Sequence, residues 1–336
     1  MNTTDLKETI KNLMQTGKGI LAADESNGTA GKRLQSVGVP NTEENRRLYR
    51  ELFLGAKGIE SYLSGVIFFD ETIRQKNNEG VLYVESLKKL SIVPGIKVDM
   101  GTVDFPGFPG EKVTEGLDGL RERLQEYYKL GARFAKWRAV FIIGEGIPTP
   151  ECLHTNAIIL ARYARLCQEE GLVPIVEPEV LFEGDHSMEK AEEVTTNVVS
   201  TVFYQARRYR VDLSCMILKT SMVLAGKEFP KQSTTKEIAQ ATVRMLKNSV
   251  PEEVPGVVFL SGGQEPIPAT EHLDAIVDLM PLPWELAFSY ARAIQEPALE
   301  IWQGKEGNVE KAREEFFKRL EMNVSADMGV YSKELE

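Results

Sequence analysis

Eight short apolar runs recur along the chain, and amphipathic helical patterns fill the gaps between them. The runs are "KGILAAD" (18–24), "SGVIFFD" (64–70), "IVPGIKVD" (92–99), "ARFAKWRAVFII" (132–143), "GLVPIVEPE" (171–179), "LSCMILKT" (213–220), "PGVVFLSGG" (255–263) and "WELAFSY" (284–290). Segments of this length, rich in β-branched and aromatic residues, read as strands. Helical periodicity runs from 41, 116, 187, 234 and 271, and from Thr149, an N-cap followed by Pro150 at the first helical position. Strand alternating with helix predicts a parallel sheet with right-handed crossovers. Eight such units fit an α/β fold of the (β/α)8 TIM barrel type better than an open sheet. A doubly wound sheet is the runner-up, but it would usually carry a glycine-rich phosphate loop after its first strand. A short amphipathic helix at 4–16 precedes the barrel and another at 307–322 follows it. The polar tail, about 323–336, is expected to be mobile. No linker or low-complexity stretch divides the chain, so 1–336 reads as one barrel domain.

The charge balance narrows the partners. Forty Lys and Arg stand against fifty Asp and Glu, a net charge of −10. Such a chain is a poor candidate for nucleic acid, yet it can hold a local basic pocket for an anionic substrate. The cysteines, Cys152, Cys167 and Cys215, are odd in number and form no CxxC, which favours a reducing compartment. The first twenty residues lack the apolar core of a signal peptide, and no apolar run is long enough to span a bilayer. A cytoplasmic location, without a membrane partner, is the expectation.

In a barrel of this type, chemistry gathers at the C-terminal ends of the strands. There the runs carry Asp24, Asp70, Lys97, Asp99, Lys136, Arg138, Glu177, Glu179, Lys219, Ser261 and Ser289. Charges at strand ends are ordinary, and for Asp70 or Asp99 alone that account suffices. It fails for the set. Lys97, Lys136 and Lys219 follow apolar residues in three different strands, where lysine is disfavoured. A spacing of two puts Lys136 with Arg138, and Glu177 with Glu179, on common faces that a closed barrel turns toward one mouth. Neighbouring lysines lower one another's pKa, and a lysine that is partly neutral attacks ketones and aldehydes to form an imine. Carboxylates move the protons that imine formation requires, and the remaining cations suit phosphate. The pattern points to an imine-forming enzyme acting on a phosphorylated carbonyl compound, without saying which lysine forms the imine.

Two further motifs have open readings. "DESNGTAGKRL" (24–34) is too short and lacks the Ser/Thr of a Walker loop. It is either a βα turn capped by Ser26 or Asn27, or a source of anion ligands in Ser26, Thr29 and Arg33. "LSGGQ" (260–264) is either a plain turn or a place where backbone N–H groups meet a phosphate. His154, His186 and His272 have no metal-ligand spacing and end no strand, so neither a metal nor another cofactor is expected.

The ordered series "GKGILAADESNGT", "RLQSVGVPNTEENRRLYRELF", "GVIFFDETI", "GIKVDMGT", "FAKWRAV", "GLVPIVEPEVL", "GDH", "FLSGGQ" and "PWELAFSYARA" resembles class I fructose-1,6-bisphosphate aldolase. That resemblance spans most of the chain. It implies a (β/α)8 barrel that reversibly cleaves fructose 1,6-bisphosphate to dihydroxyacetone phosphate and glyceraldehyde 3-phosphate, without metal, in glycolysis or gluconeogenesis. By resemblance, Lys219 forms the imine, Glu177 is its general acid/base with Glu179 beside it, and Asp24 handles the C4 hydroxyl proton. Lys136 assists the substrate hydroxyl. Lys97, Arg138, Ser26, Thr29 and Arg33 lie toward the C6 phosphate, and Ser261, Gly262, Gly263, Ser289 and Arg292 hold the C1 phosphate. A homo-oligomer, a tetramer, is expected from the resemblance alone. The sequence departs from the family at Thr220-Ser221 (usually Pro-Asn), at Ala291 (usually Gly) and at Met100 (Lys in the animal enzymes), and it ends before the animal enzymes' tyrosine-tipped tail. The same chemistry on sedoheptulose 1,7-bisphosphate, or a barrel that only binds, are the alternatives. Intact Lys219, Glu177 and Asp24 argue against the latter.

Overall fold

The computed structural model describes residues 3–336. Ten strands form: β1 (Gly19–Ala23), β2 (Leu63–Phe68), β3 (Val93–Lys97), β4 (Thr102–Asp104), β5 (Lys112–Thr114), β6 (Phe134–Phe141), β7 (Val173–Val180), β8 (Ile217–Thr220), β9 (Gly256–Phe259) and β10 (Glu285–Phe288). Strands β4 and β5 pair as a small antiparallel hairpin. The other eight make one parallel sheet in the order β1-β2-β3-β6-β7-β8-β9-β10. At the seam between first and last, the Ala22 N–H donates to the Tyr290 carbonyl (3.1 Å) and the Gln295 amide donates to the Ala22 carbonyl (2.7 Å). The eight expected strands are all present, wrapped by helices as a (β/α)8 barrel.

Period-two alternation divides the strand side chains between two cores. One set, including Leu21, Ala23, Phe68, Ala135, Trp137, Leu218 and Phe259, packs outward against the helices. The other, including Ile20, Ala22, Ile67, Phe134, Ile175, Ile217, Val258 and Ala287, fills the barrel interior. Leu6, Ile10 and Leu13 of the first helix (Thr3–Leu13), with Met14, join this inner core and stopper the end of the barrel opposite the mouth. The close fit needs glycine: a Cβ on Gly256 would lie 2.6 Å from the Met14 methyl carbon. A fully buried leucine of this kind contributes roughly 1.5–3 kcal/mol.

The long helices start where side-chain oxygens satisfy free N–H groups. Thr149 accepts from the Cys152 N–H ahead of Pro150, Ser187 accepts from Lys190, and Thr234 forms a reciprocal capping box with Glu237. Residues 27–36 form a helix that Ser26, not Asn27, caps. Two expectations are corrected. Residues 213–215 are a 3-10 turn, because the Asp212 side chain accepts from the Ser214 N–H, and the strand begins at Ile217. The last long helix runs Val309–Asp327, so the tail does not loosen at 323. Asn323 is buried and bonded to Thr270 and Arg319, Asp327 accepts the Gly17 N–H (2.8 Å), and Glu336 folds back to pair with Arg319. Among the described residues no helix is long and apolar enough to cross a membrane.

Candidate active site

The inward faces of β6, β7 and β8 begin apolar, with Phe134, Val173, Ile175 and Ile217, and end charged, with Lys136, Arg138, Glu177, Glu179 and Lys219. Parallel register aligns these ends: Lys97 is level with Lys136, and Arg138 with Glu177. They open onto a cavity of about 1140 Å³ at the C-terminal mouth. Asp24, Ser26, Thr29, Arg33, Lys97, Lys136, Arg138, Glu177, Glu179, Lys219, Ser261, Gly262, Ser289 and Arg292 all border it. Gly263 does not. A Cβ on it would come 2.9 Å from a nitrogen of Arg292, which does border the cavity.

The centre is a buried chain of alternating charge. Lys136 Nζ donates to Asp24 Oδ2 (2.9 Å) and contacts Glu177 Oε2 (2.7 Å). The second contact lies outside hydrogen-bond angles, so charge alone holds it. The other oxygen of Glu177 is 3.6 Å from Lys219 Nζ. Burial pulls the Lys219 ammonium down to about 7, and repulsion from Lys136 adds to the shift. Burial alone would raise the Asp24 carboxyl, but Lys136 and Lys219 override it and hold the group well below the usual carboxylate range. One lysine is thereby close to half neutral at neutral pH, beside a carboxylate that a second lysine grips.

The rim pairs its cations individually. Arg138 binds Glu179, and Lys97 meets Asp99 (2.5 Å). Asp99, ordinary at the level of sequence, also accepts the Arg138 N–H (3.1 Å) and the Gly101 N–H (3.1 Å), joining the ends of β3 and β6. Arg33 is bound to Glu25, whose other oxygen takes Arg50 (2.5 Å). Sequence reasoning passed over Glu25. A signal was present: in "AADES" it stands beside Asp24 at a strand end, and where such a carboxylate is buried it needs cations. Ser26 caps its helix through the Thr29 N–H (3.3 Å), so the two readings of this loop coexist: the cap and the cavity wall are the same residue. Ser289 Oγ is buried at the cavity with no hydrogen-bond partner, a donor left for a ligand. Among the described residues no group of three His, Cys, Asp or Glu could hold a metal ion.

A buried lysine with a lowered pKa beside a carboxylate, in a barrel mouth lined with cations, is the arrangement of an imine-forming lyase. Comparison with known proteins sharpens the class to a family. The family model described as fructose-bisphosphate aldolase class-I matches residues 5–336. The chain is 51% identical over 330 residues to a probable fructose-bisphosphate aldolase class 1 of Xanthomonas campestris, covering 98% of this chain and 99% of that one. It is 50% identical over 316 residues to the cytosolic fructose-bisphosphate aldolase 6 of Arabidopsis thaliana, covering 94% of this chain and 88% of that one. A solved structure of the Plasmodium falciparum fructose-bisphosphate aldolase, in complex with TRAP and a small-molecule inhibitor, superposes with a TM-score of 0.96 at 49% identity, covering 98% of this chain and 95% of that one. The chain belongs to the class I fructose-bisphosphate aldolase family.

Proposed function

We propose that the cavity cleaves fructose 1,6-bisphosphate reversibly through an imine on Lys219. The observation that carries the assignment to Lys219 is its place in the charge chain: buried, lowered to about 7, and 3.6 Å from a carboxylate. The neutral amine adds to the C2 carbonyl and the alkoxide takes up a solvent proton; Glu177 then accepts a proton from the new ammonium nitrogen and hands it to the carbinol hydroxyl, so that water leaves and the iminium remains. Asp24, an ionised base, takes the C4 hydroxyl proton. The C3–C4 bond breaks, its electron pair flows into the iminium, and glyceraldehyde 3-phosphate departs from an enamine. Protonation at C3 and hydrolysis then release dihydroxyacetone phosphate and regenerate the amine. Lys136 stabilises charge on the substrate oxygens and keeps Asp24 ionised. Lys97, Arg138, Arg33, Ser26 and Thr29 take the C6 phosphate, while Ser261, Gly262, Gly263, Ser289 and Arg292 take the C1 phosphate.

Borohydride with dihydroxyacetone phosphate is expected to inactivate the protein and leave a three-carbon adduct on Lys219, while EDTA leaves activity unchanged. An adduct elsewhere, no adduct, or loss of activity in EDTA overturns the proposal. Family resemblance also supports a cytoplasmic homotetramer. Light scattering of the purified protein tests the assembly, and a monomer would refute it.

A further inference from the structure

The turn expected to receive the C1 phosphate is built from two left-handed residues, Gly262 (φ +59°) and Gly263 (φ +89°), and is closed by the Gln264 N–H donating to the Ser261 carbonyl (2.9 Å). Among the described residues, neither glycine N–H donates a hydrogen bond, which leaves both for an anion. Two glycines in such a turn are flexible, so the direction of those N–H groups has to be fixed from elsewhere.

The fixing comes from behind the cavity. The Gln264 side chain is buried and turned away from the mouth. Its Oε1 lies 2.6 Å from His272 Nδ1, on the helix Pro266–Val277. Its Nε2 donates to Met222 Sδ (3.7 Å), three residues beyond Lys219. The sulfur accepts but has no hydrogen to give, so the amide nitrogen faces it and the amide oxygen faces the imidazole. His272 therefore carries its proton on Nδ1. It is buried and its pKa is pushed down to about 4 by that burial, so the ring is neutral in the working range. One amide thus ties the phosphate turn to the chain leaving β8 and to the helix that follows.

We infer that Gln264 and His272 are positioning residues for phosphate recognition: their hydrogen bond aims the N–H groups of the glycine turn at the phosphate of the ketose-derived half of the substrate. The inference rests on the imine reading of the site and adds two residues that touch no substrate.

Borohydride trapping with two ketones tests it on the intact protein. Dihydroxyacetone phosphate needs both Lys219 and the turn, whereas dihydroxyacetone needs Lys219 alone. In Gln264→Leu and in His272→Leu, the half-saturating concentration of dihydroxyacetone phosphate is expected to rise about tenfold, the effect of losing one buried hydrogen bond. Trapping by dihydroxyacetone should stay unchanged. His272→Asn, whose amide N–H stands in for Nδ1–H, should restore the original value. An unchanged half-saturating concentration in both leucine variants overturns the inference. So does an equal loss with both ketones, which marks general damage to the barrel. Failure of the unmutated protein to be trapped by dihydroxyacetone phosphate overturns the imine reading instead, and is read separately.

Discussion

Asp24 and Lys136 stand 112 positions apart in the chain, and their charged atoms meet at 2.9 Å inside the barrel. Each charge offsets the burial cost of the other, and breaking a buried pair costs about 3–5 kcal/mol. The contact holds Asp24 as a carboxylate before any substrate arrives.

Lys136→Met removes the ammonium that holds Asp24 and Glu177. Cleavage is expected to fall by about 10²–10⁴-fold, the scale of losing a positioned proton-transfer system. The barrel should remain folded by circular dichroism. Near-normal turnover of fructose 1,6-bisphosphate would refute the role.

Asp24→Asn separates the two halves of the reaction. The variant keeps the carboxylate's shape but cannot accept the C4 hydroxyl proton. Borohydride trapping of dihydroxyacetone phosphate should persist, while bond cleavage drops by about 10²–10⁴-fold. Equal loss of trapping and cleavage would show that Asp24 acts on the imine rather than on the cleavage step.

The pH dependence follows from Lys219. Its folded pKa, about 7, lies below the ordinary 10.5. The reactive amine therefore gains as pH rises through 7 and is saturated well below pH 10. The trapping rate should climb with a midpoint near pH 7. The folded state binds fewer protons than the unfolded chain between these two values, so this group's contribution to stability rises with pH across that window. Lys136→Met removes a repelling charge and leaves carboxylates unpartnered beside Lys219, which should move the midpoint up. A midpoint that stays near 10 in the unmutated protein contradicts the burial effect.

Leu13→Ala tests the stopper. Leu13 is fully buried in the inner core, and a cavity left there should cost about 2–5 kcal/mol in urea unfolding. Imine trapping in the folded fraction should be unchanged, because the site is at the other end.

The strands were legible because each is a short apolar run with a turn at its end. The mouth was legible because lysines such as Lys136 and Lys219 sit where apolar residues belong. Partnerships were not legible. Arg33 reads as an anion ligand, yet its charge is already met by Glu25, and Asp99 reads as a strand-end charge, yet it braces Lys97 and Arg138. Such pairings depend on which loops come together across the sheet, and no local spacing encodes that. The hairpin at Thr102–Thr114 escaped notice because its strands are only three residues long.

The stopper formed by Leu6, Ile10, Leu13 and Met14 has a consequence for traffic. A barrel shut at its floor has one door. The bisphosphate enters by the route along which both three-carbon fragments must leave. With the ketone half bonded to Lys219, as proposed, the aldehyde half has to go first. The order of departure is thus written into the architecture, and in the synthetic direction the aldehyde is the last guest to arrive.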